Sequence, residues 1–341
     1  MHDARAAAVI LAAGQGTRMK SKRAKVLHKI AGQEMVRHVV RSVREAGIGR
    51  IYVVVGHQAD EVRRVLQDVT CVEQAEQLGT GHAVEQCRSV LSDFSGPVLV
   101  TYGDTPLFTS ETFRALVDAH VREKAAATVI TAIVDDPTGY GRIIRDGSGS
   151  VQAIVEHKDA TPSQRQIREI NTGTYCFDNK MLFECLNQIT ADNAQSEYYL
   201  PDVIPLMLRA GRKVAAYVLS DASESLGIND RVQLAQAERI MQGRICRELM
   251  LSGVTIIDPD STYIELGCQI GRDTVIYPHT IIQEGTVIGE DCIIGPCCRL
   301  ANSRLGSGVV VEYSVVVSSI IGDKVRIDPH SYLNNCKRVE G

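Results

Sequence analysis

The sequence predicts an α/β unit on a mostly parallel sheet, then a helical arm, then a parallel β-helix. Three observations carry this. From residue 7 to about 227, short β-rich runs alternate with amphipathic stretches, the signature of βα units. From 230 to 253 a proline-free stretch has apolar residues at helical spacing. From Ile264 onward, aliphatic residues recur every six positions. At 341 residues the chain is also too long for one ordinary core, and boundaries are expected at 1–229, 230–252 and 253–341.

In the first part, strands are expected at 8–12, 51–55, 71–73, 98–102 and 127–133, and helices at 35–45, 59–67, 83–91 and 110–124. Gly14, Gly56, Gly79 and Gly103 each follow a strand. In open α/β sheets, ligands bind beyond the carboxyl ends of strands, where glycine lets the backbone come close. A ligand site is expected there. In the arm, Leu234, Ala237, Ile240, Met241 and Ile245 form the apolar stripe. Arg231, Glu238, Arg239, Arg244, Arg247 and Glu248 read as its solvated face.

The six-residue phase runs through Ile264, Ile270, Ile276, Ile282, Ile288, Ile294 and Leu300. It slips at Leu305, resumes with Val311 and Val317, and slips again to Ile321, Ile327 and Leu333. Four positions after each leading aliphatic stands a small residue, at Cys268, Thr274, Thr280, Thr286, Cys292 and Cys298, and Arg304 breaks the rule. Glycine follows the aliphatic at Gly271, Gly289, Gly295, Gly306 and Gly322. One inward aliphatic per short face makes a β-helix whose stacked coils share a core, and the cysteines read as small buried hydrophobes in it. At about 18 residues per coil, Ile264 to Cys336 supplies about four coils. The polar tail from Asn334 to Gly341 is expected to cap the last one.

Composition excludes several classes. With 44% hydrophobic and 23% charged residues and a net charge of -4, the chain is neither disordered nor globally basic, so no nucleic-acid partner is expected. The apolar run at 6–13 stops at Gly14, far short of a membrane helix, and no export signal surrounds it. The expectation is a soluble cytoplasmic protein with no membrane partner. Its ten scattered cysteines, with no Cys-x-x-Cys, are expected as reduced thiols rather than a disulfide frame or zinc site.

Three segments carry candidate chemistry. Leu11-Ala12-Ala13-Gly14-Gln15-Gly16-Thr17-Arg18-Met19 runs into a basic stretch with Arg18, Lys20, Lys22, Arg23 and Lys25. That is either a solvated loop or a polyphosphate cradle of backbone N–H groups and cations. It is neither a Walker loop nor a dinucleotide fingerprint, because the spacing of both is absent. Tyr102-Gly103-Asp104 ends a β-rich run in a carboxylate that suits either a turn or a divalent cation. Gln74 to His82 is either a glycine turn or a reader of a base edge, and His82 is given no catalytic task.

In order and wording, these segments resemble the sugar-nucleotide pyrophosphorylase family, most closely the uridylyltransferase half of its bacterial bifunctional uridylyl- and acetyltransferases. The resemblance runs from about Ala8 into the hexapeptide repeats. It rests on residues 11–19, Lys25-Val26-Leu27-His28, residues 74–83, Tyr102-Gly103-Asp104, residues 136–142, Glu156-His157-Lys158-Asp159-Ala160, Asn171-Thr172-Gly173, Glu197-Tyr198-Tyr199 and Asn229. It implies a Rossmann-like α/β nucleotidyltransferase domain and a left-handed β-helix. It also implies magnesium-dependent transfer from UTP to N-acetylglucosamine 1-phosphate for cell-wall precursors, in a homotrimer.

On this resemblance Leu11, Ala12, Ala13 and Gly14 lie along the nucleoside, and Gln74, Gly79 and Thr80 select uracil. Arg18 and Lys25 hold the triphosphate, Asp104 and Asn229 ligate Mg2+, and Tyr102 and Gly103 border the pocket. Gly141, Glu156 and Asn171 contact the sugar, with Tyr198, Tyr199 and Asn229 beside it. Arg18, Lys25 and Asp104 carry the catalysis. Two departures stand out: Ala24 where the family usually has proline, and Pro201 where it usually has threonine. The family's acetyltransferase site lies in coils beyond Gly341, so acetyl transfer is not expected from this chain alone. Another sugar or base, or a nucleotide-sensing scaffold without turnover, are the competing readings.

Overall fold

The computed structural model describes residues 6–193 and 195–337, in two compact units. One comprises 6–28 and 34–233; the other comprises 29–33 and 234–337.

The first unit is a nine-stranded sheet with helices on both faces. Its main path runs Val214–Val218, Ala127–Ile133, Glu169–Asp178, Pro97–Tyr102, Ala7–Ala12, Arg50–Val55, Thr70–Glu73, and Gly141–Arg145 and Val151–Val155 form a side branch. The central strand Ala7–Ala12 is buried throughout, and its residues alternate between two cores. Ala8, Ile10 and Ala12 face one, with Val36, Val39, Val53 and Leu116. Ala7, Val9 and Leu11 face the other, with Val84, Val100, Phe177 and Leu182. Period-two alternation with both faces apolar is what a strand covered on two sides requires.

The expected mostly parallel sheet is corrected to a mixed one. Four strand pairings are parallel, and four are antiparallel, three of them made by Glu169–Asp178. Burial pattern does not encode strand direction, so the sequence left this reversal open. Helix Met35–Glu45 stands where expected. The helix expected at 83–91 instead starts at Thr80, one residue after Gly79, and ends at Glu85.

In the second unit the short strands stack into three parallel sheets, those of a left-handed β-helix. Ile264, Ile282, Leu300, Val316 and Leu333 lie in register on one sheet. The expected inward Val317 is therefore corrected to Val316, which is fully buried. A coil there is shorter by two residues, since Leu300 pairs with Val316 where Ile282 paired with Leu300. One residue of that loss falls before Leu305, which pairs with Ile288, and it explains Arg304: the small inward position has moved by one to Ser303, which is 2% exposed.

Those inward small residues are more than filler. Thr274 Oγ1 donates to Gly289 O at 2.9 Å and Thr286 Oγ1 to Gln283 O at 2.6 Å. Cys292 Sγ lies 3.2 Å from Gly306 O as a thiol donor. Thr274 and Cys292 give partners to the Gly289 and Gly306 carbonyls at the corners, and Thr286 adds a donor to a Gln283 carbonyl that already accepts from Asn302 N at 3.3 Å. One corner is all glycine, because a Cβ on Gly271 would fall 2.5 Å from Gly289 C and one on Gly289 would fall 2.6 Å from Gly306 C. Helix Arg231–Leu251 occupies the expected arm. Glu238 is not simply solvated, since its carboxylate accepts from Ala31 N at 3.0 Å and Gln242 Nε2 at 3.0 Å. All ten cysteines are free thiols. Of the expected tail cap, residues 338–341 lie outside the described residues.

Candidate active site

Strand register brings the chemistry to one edge of the first unit. Leu11 pairs with Tyr102 and Ala12 with Val55, while Val55 pairs with Glu73, so the ends that lead into Ala13, Gly56, Gln74 and Gly103 lie side by side. Glu169–Asp178 runs the opposite way, so its beginning arrives at the same edge and brings Asn171 beside Gly141. Where it pairs with Ala127–Ile133 its register shifts between Asn171 and Tyr175. Gly173 sits in that irregularity at φ +80, and a Cβ there would fall 2.6 Å from the Tyr102 ring.

Two cavities open at this edge. The larger, about 550 Å³, is lined by Leu11, Ala12, Ala13, Gly14, Lys25, Gln74, Gly79, Thr80, Tyr102, Asp104 and Asn229 among the expected residues. The other, about 340 Å³, is lined by Gly141, Glu156, Asn171 and Tyr199 among them. Thr80, Tyr102, Asp104 and Asn229 border both. Arg18, Gly103 and Tyr198 line neither cavity. Arg18 is exposed on the short turn Thr17–Met19. Gly103 packs against the core instead, since a Cβ added there would fall 3.2 Å from Val26 and 3.3 Å from Val36. Tyr198 contributes backbone, its N–H donating to Leu78 O at 2.8 Å and its carbonyl accepting from Gly81 N at 2.7 Å. Sequence reasoning passed over Gln77, Glu197, Thr105, Tyr140 and Gly227, which also line the cavities. Gln77, Tyr140 and Glu197 each had a signal, since they stand in the quoted blocks 74–83, 136–142 and Glu197-Tyr198-Tyr199, whereas Thr105 and Gly227 had none.

In the larger cavity Gln74 is 3% exposed, and its Nε2 donates to Gly79 O at 3.1 Å and contacts His82 Nδ1 at 3.0 Å. With that ring nitrogen unprotonated, the amide N–H groups are committed and Oε1 remains as an acceptor. In the second cavity Asn171 Oδ1 accepts from Gly173 N and the Tyr175 hydroxyl, both at 3.0 Å, which leaves its NH2 group to donate. Burial, with Asp159 and Asp202 nearby, pushes the Glu156 carboxyl up. Burial also pushes the Tyr102 hydroxyl up, as does Asp104, so it stays a neutral donor. Arg142, 1% exposed, donates to Tyr140 O and reaches Arg165 O at 3.3 Å, fixing the loops around this cavity.

At the seam, Lys25 Nζ pairs with the Asp104 carboxylate and donates to Asn229 Oδ1 at 3.1 Å. Two side chains 125 residues apart in the chain thus converge on one cation. A carboxylate oxygen and an amide oxygen meeting on a positive charge are the hard donors a divalent cation takes. The ammonium stands in for it, so the residues fit a metal completed by ligand oxygens.

A family model described as nucleotidyl transferase matches residues 7–230, and one described as bacterial transferase hexapeptide (six repeats) matches residues 267–302. The bifunctional protein GlmU of Geobacillus sp. (strain WCH70) is 52% identical over 334 residues, covering 98% of this chain and 73% of that protein. GlmU of Bacillus subtilis (strain 168) is 51% identical over 327 residues, covering 96% of this chain and 72% of that protein. The chain belongs to the GlmU family. As a GlmU-type chain it is a nucleotidyltransferase, and the two cavities lie within the span matched by the nucleotidyl transferase model. Among the described residues, no helix is long and apolar enough to cross a membrane.

Proposed function

We propose that the first unit transfers the uridylyl group of UTP to N-acetylglucosamine 1-phosphate, forming UDP-N-acetylglucosamine and pyrophosphate, with Mg2+ at Asp104 and Asn229. The observation that carries this reading is the pair of cavities sharing Thr80, Tyr102, Asp104 and Asn229. A nucleotide in one and a sugar phosphate in the other would meet at those four residues.

A sugar-phosphate oxygen attacks the α-phosphorus of UTP, a new O–P bond forms, and the bond to the β-phosphate breaks as pyrophosphate leaves with its electron pair. Both reactants are anions, so the chain's task is alignment and neutralisation. Lys25 supplies a fixed cation at the junction, and Arg18, on the exposed turn that follows Gly16, adds one from the rim. The metal, when bound, polarises phosphoryl oxygens and offsets their charge. The second pKa of a phosphate monoester is about 6, so the nucleophile is already ionised and no general base is needed. Gln74 Oε1 accepts from the N–H of uracil. Asn171 donates to the sugar, and Glu156 accepts from a sugar hydroxyl.

The hexapeptide unit is proposed to build a homotrimer, a reading supported by the match of residues 267–302 to the bacterial transferase hexapeptide model. The free thiols fit a reducing cytoplasm. Incubation with UTP, Mg2+ and a panel of sugar 1-phosphates, with pyrophosphate detected, tests the reaction. Release should be fastest with N-acetylglucosamine 1-phosphate. A different preferred pair reassigns the substrates, and no release with any pair ends the enzymatic reading.

A further inference from the structure

The Lys25 side chain stands between two kinds of partner. It neutralises Asp104 and donates to Asn229 Oδ1, and it lines the cavity wall with Gly14, Gln15 and Thr17, where phosphates would lie. Its backbone is fixed: residues 25–27 form a short 3-10 turn whose Val26 and Leu27 are each 4% exposed. Its stem passes Gly16, where a Cβ would fall 2.6 Å from Lys25 Cβ, so glycine there keeps the path open. The Asp104 and Lys25 side chains are 14% and 16% exposed, so the pair is weakly screened. A monovalent ammonium and a divalent ion on the same two oxygens would stand within a few ångströms of each other, so each weakens the other's hold there.

Resting on the metal reading above, we propose that Lys25 is a tethered competitor for the metal position. In the empty enzyme its ammonium holds the Asp104–Asn229 site and leaves it without net charge to attract a free divalent ion. Nucleotide supplies a second anionic seat for the ammonium, and the metal takes the vacated oxygens. The lysine therefore couples nucleotide entry to metal entry, beyond its charge on the phosphates.

The test is Mn2+ binding followed by electron paramagnetic resonance of the free ion, with wild type, Lys25→Met and the double variant Lys25→Met/Asp104→Asn, each checked for folding by circular dichroism. Without nucleotide, Lys25→Met should bind Mn2+ about tenfold more tightly than wild type. Adding UTP should tighten Mn2+ binding more in wild type than in Lys25→Met. A folded Lys25→Met with wild-type or weaker Mn2+ affinity overturns the inference and leaves the metal reading standing. A double variant that binds as tightly as Lys25→Met overturns the metal reading itself. A second measurement needs no variant: amine labelling of Lys25 in wild type, read by mass spectrometry, should rise on adding Mn2+ alone, and unchanged labelling at saturating Mn2+ refutes the exchange.

Discussion

At the scale of single residues, Asp104 carries the largest expected effect. Asp104→Asn keeps the shape and removes the charge, and should cost about 3 kcal/mol of barrier, roughly a hundredfold in kcat. Near-wild-type kcat at saturating Mg2+ would contradict its role. Gly173→Ala adds a Cβ 2.6 Å from the Tyr102 ring at φ +80, so strain and a displaced tyrosine come together. Since Tyr102 borders both cavities, KM should rise for both substrates, and a change for only one would argue that Tyr102 does not sit at their junction.

Glu156 gives a pH-dependent signature. Burial, then Asp159 and Asp202, raise its pKa in the folded chain, so the folded state holds the proton more tightly than the unfolded one. Stability contributed by Glu156 therefore falls as pH climbs from about 4.3 through the raised value, and the cost is complete above it. Glu156→Gln should melt higher than wild type at neutral pH, with the advantage vanishing toward pH 4, while losing sugar affinity. A melting difference that does not vary with pH would show that the carboxylate is not strained by its setting.

At the scale of elements, the glycine corner of the β-helix is the sharpest test of packing. Gly289→Ala would press a methyl against the Gly306 carbonyl, which is backbone and cannot swing aside. It should destabilise the hexapeptide unit by about 1–3 kcal/mol, read as an earlier thermal transition, and an unchanged melt would mean that the coils can separate there. Elements whose pattern is a period were legible: Met35–Glu45, Ala127–Ile133 and the hexads from Ile264 to Leu300 all came from spacing. Direction and register were not. Nothing in Glu169–Asp178, whose middle is Asn171-Thr172-Gly173-Thr174, marks it as a strand or says that it runs backward, and only pairing with Leu300 distinguishes Val316 from Val317. Likewise the Asp104–Asn229 convergence is invisible to spacing and was reached through resemblance, while Gln77 and Tyr140 enter the cavities through loop paths that carry no periodic signal.

At the scale of the whole molecule, a homotrimer should elute with three times the chain's mass in light scattering coupled to gel filtration. A monomer at micromolar concentration would remove the proposed assembly role of the hexapeptide unit.

The common wall formed by Thr80, Tyr102, Asp104 and Asn229 also governs how the enzyme lets go. A molecule long enough to fill both halves at once leaves neither free for a newcomer. The finished sugar nucleotide should thus displace labelled UTP and labelled sugar phosphate alike at equilibrium, and accumulating product would throttle its own formation.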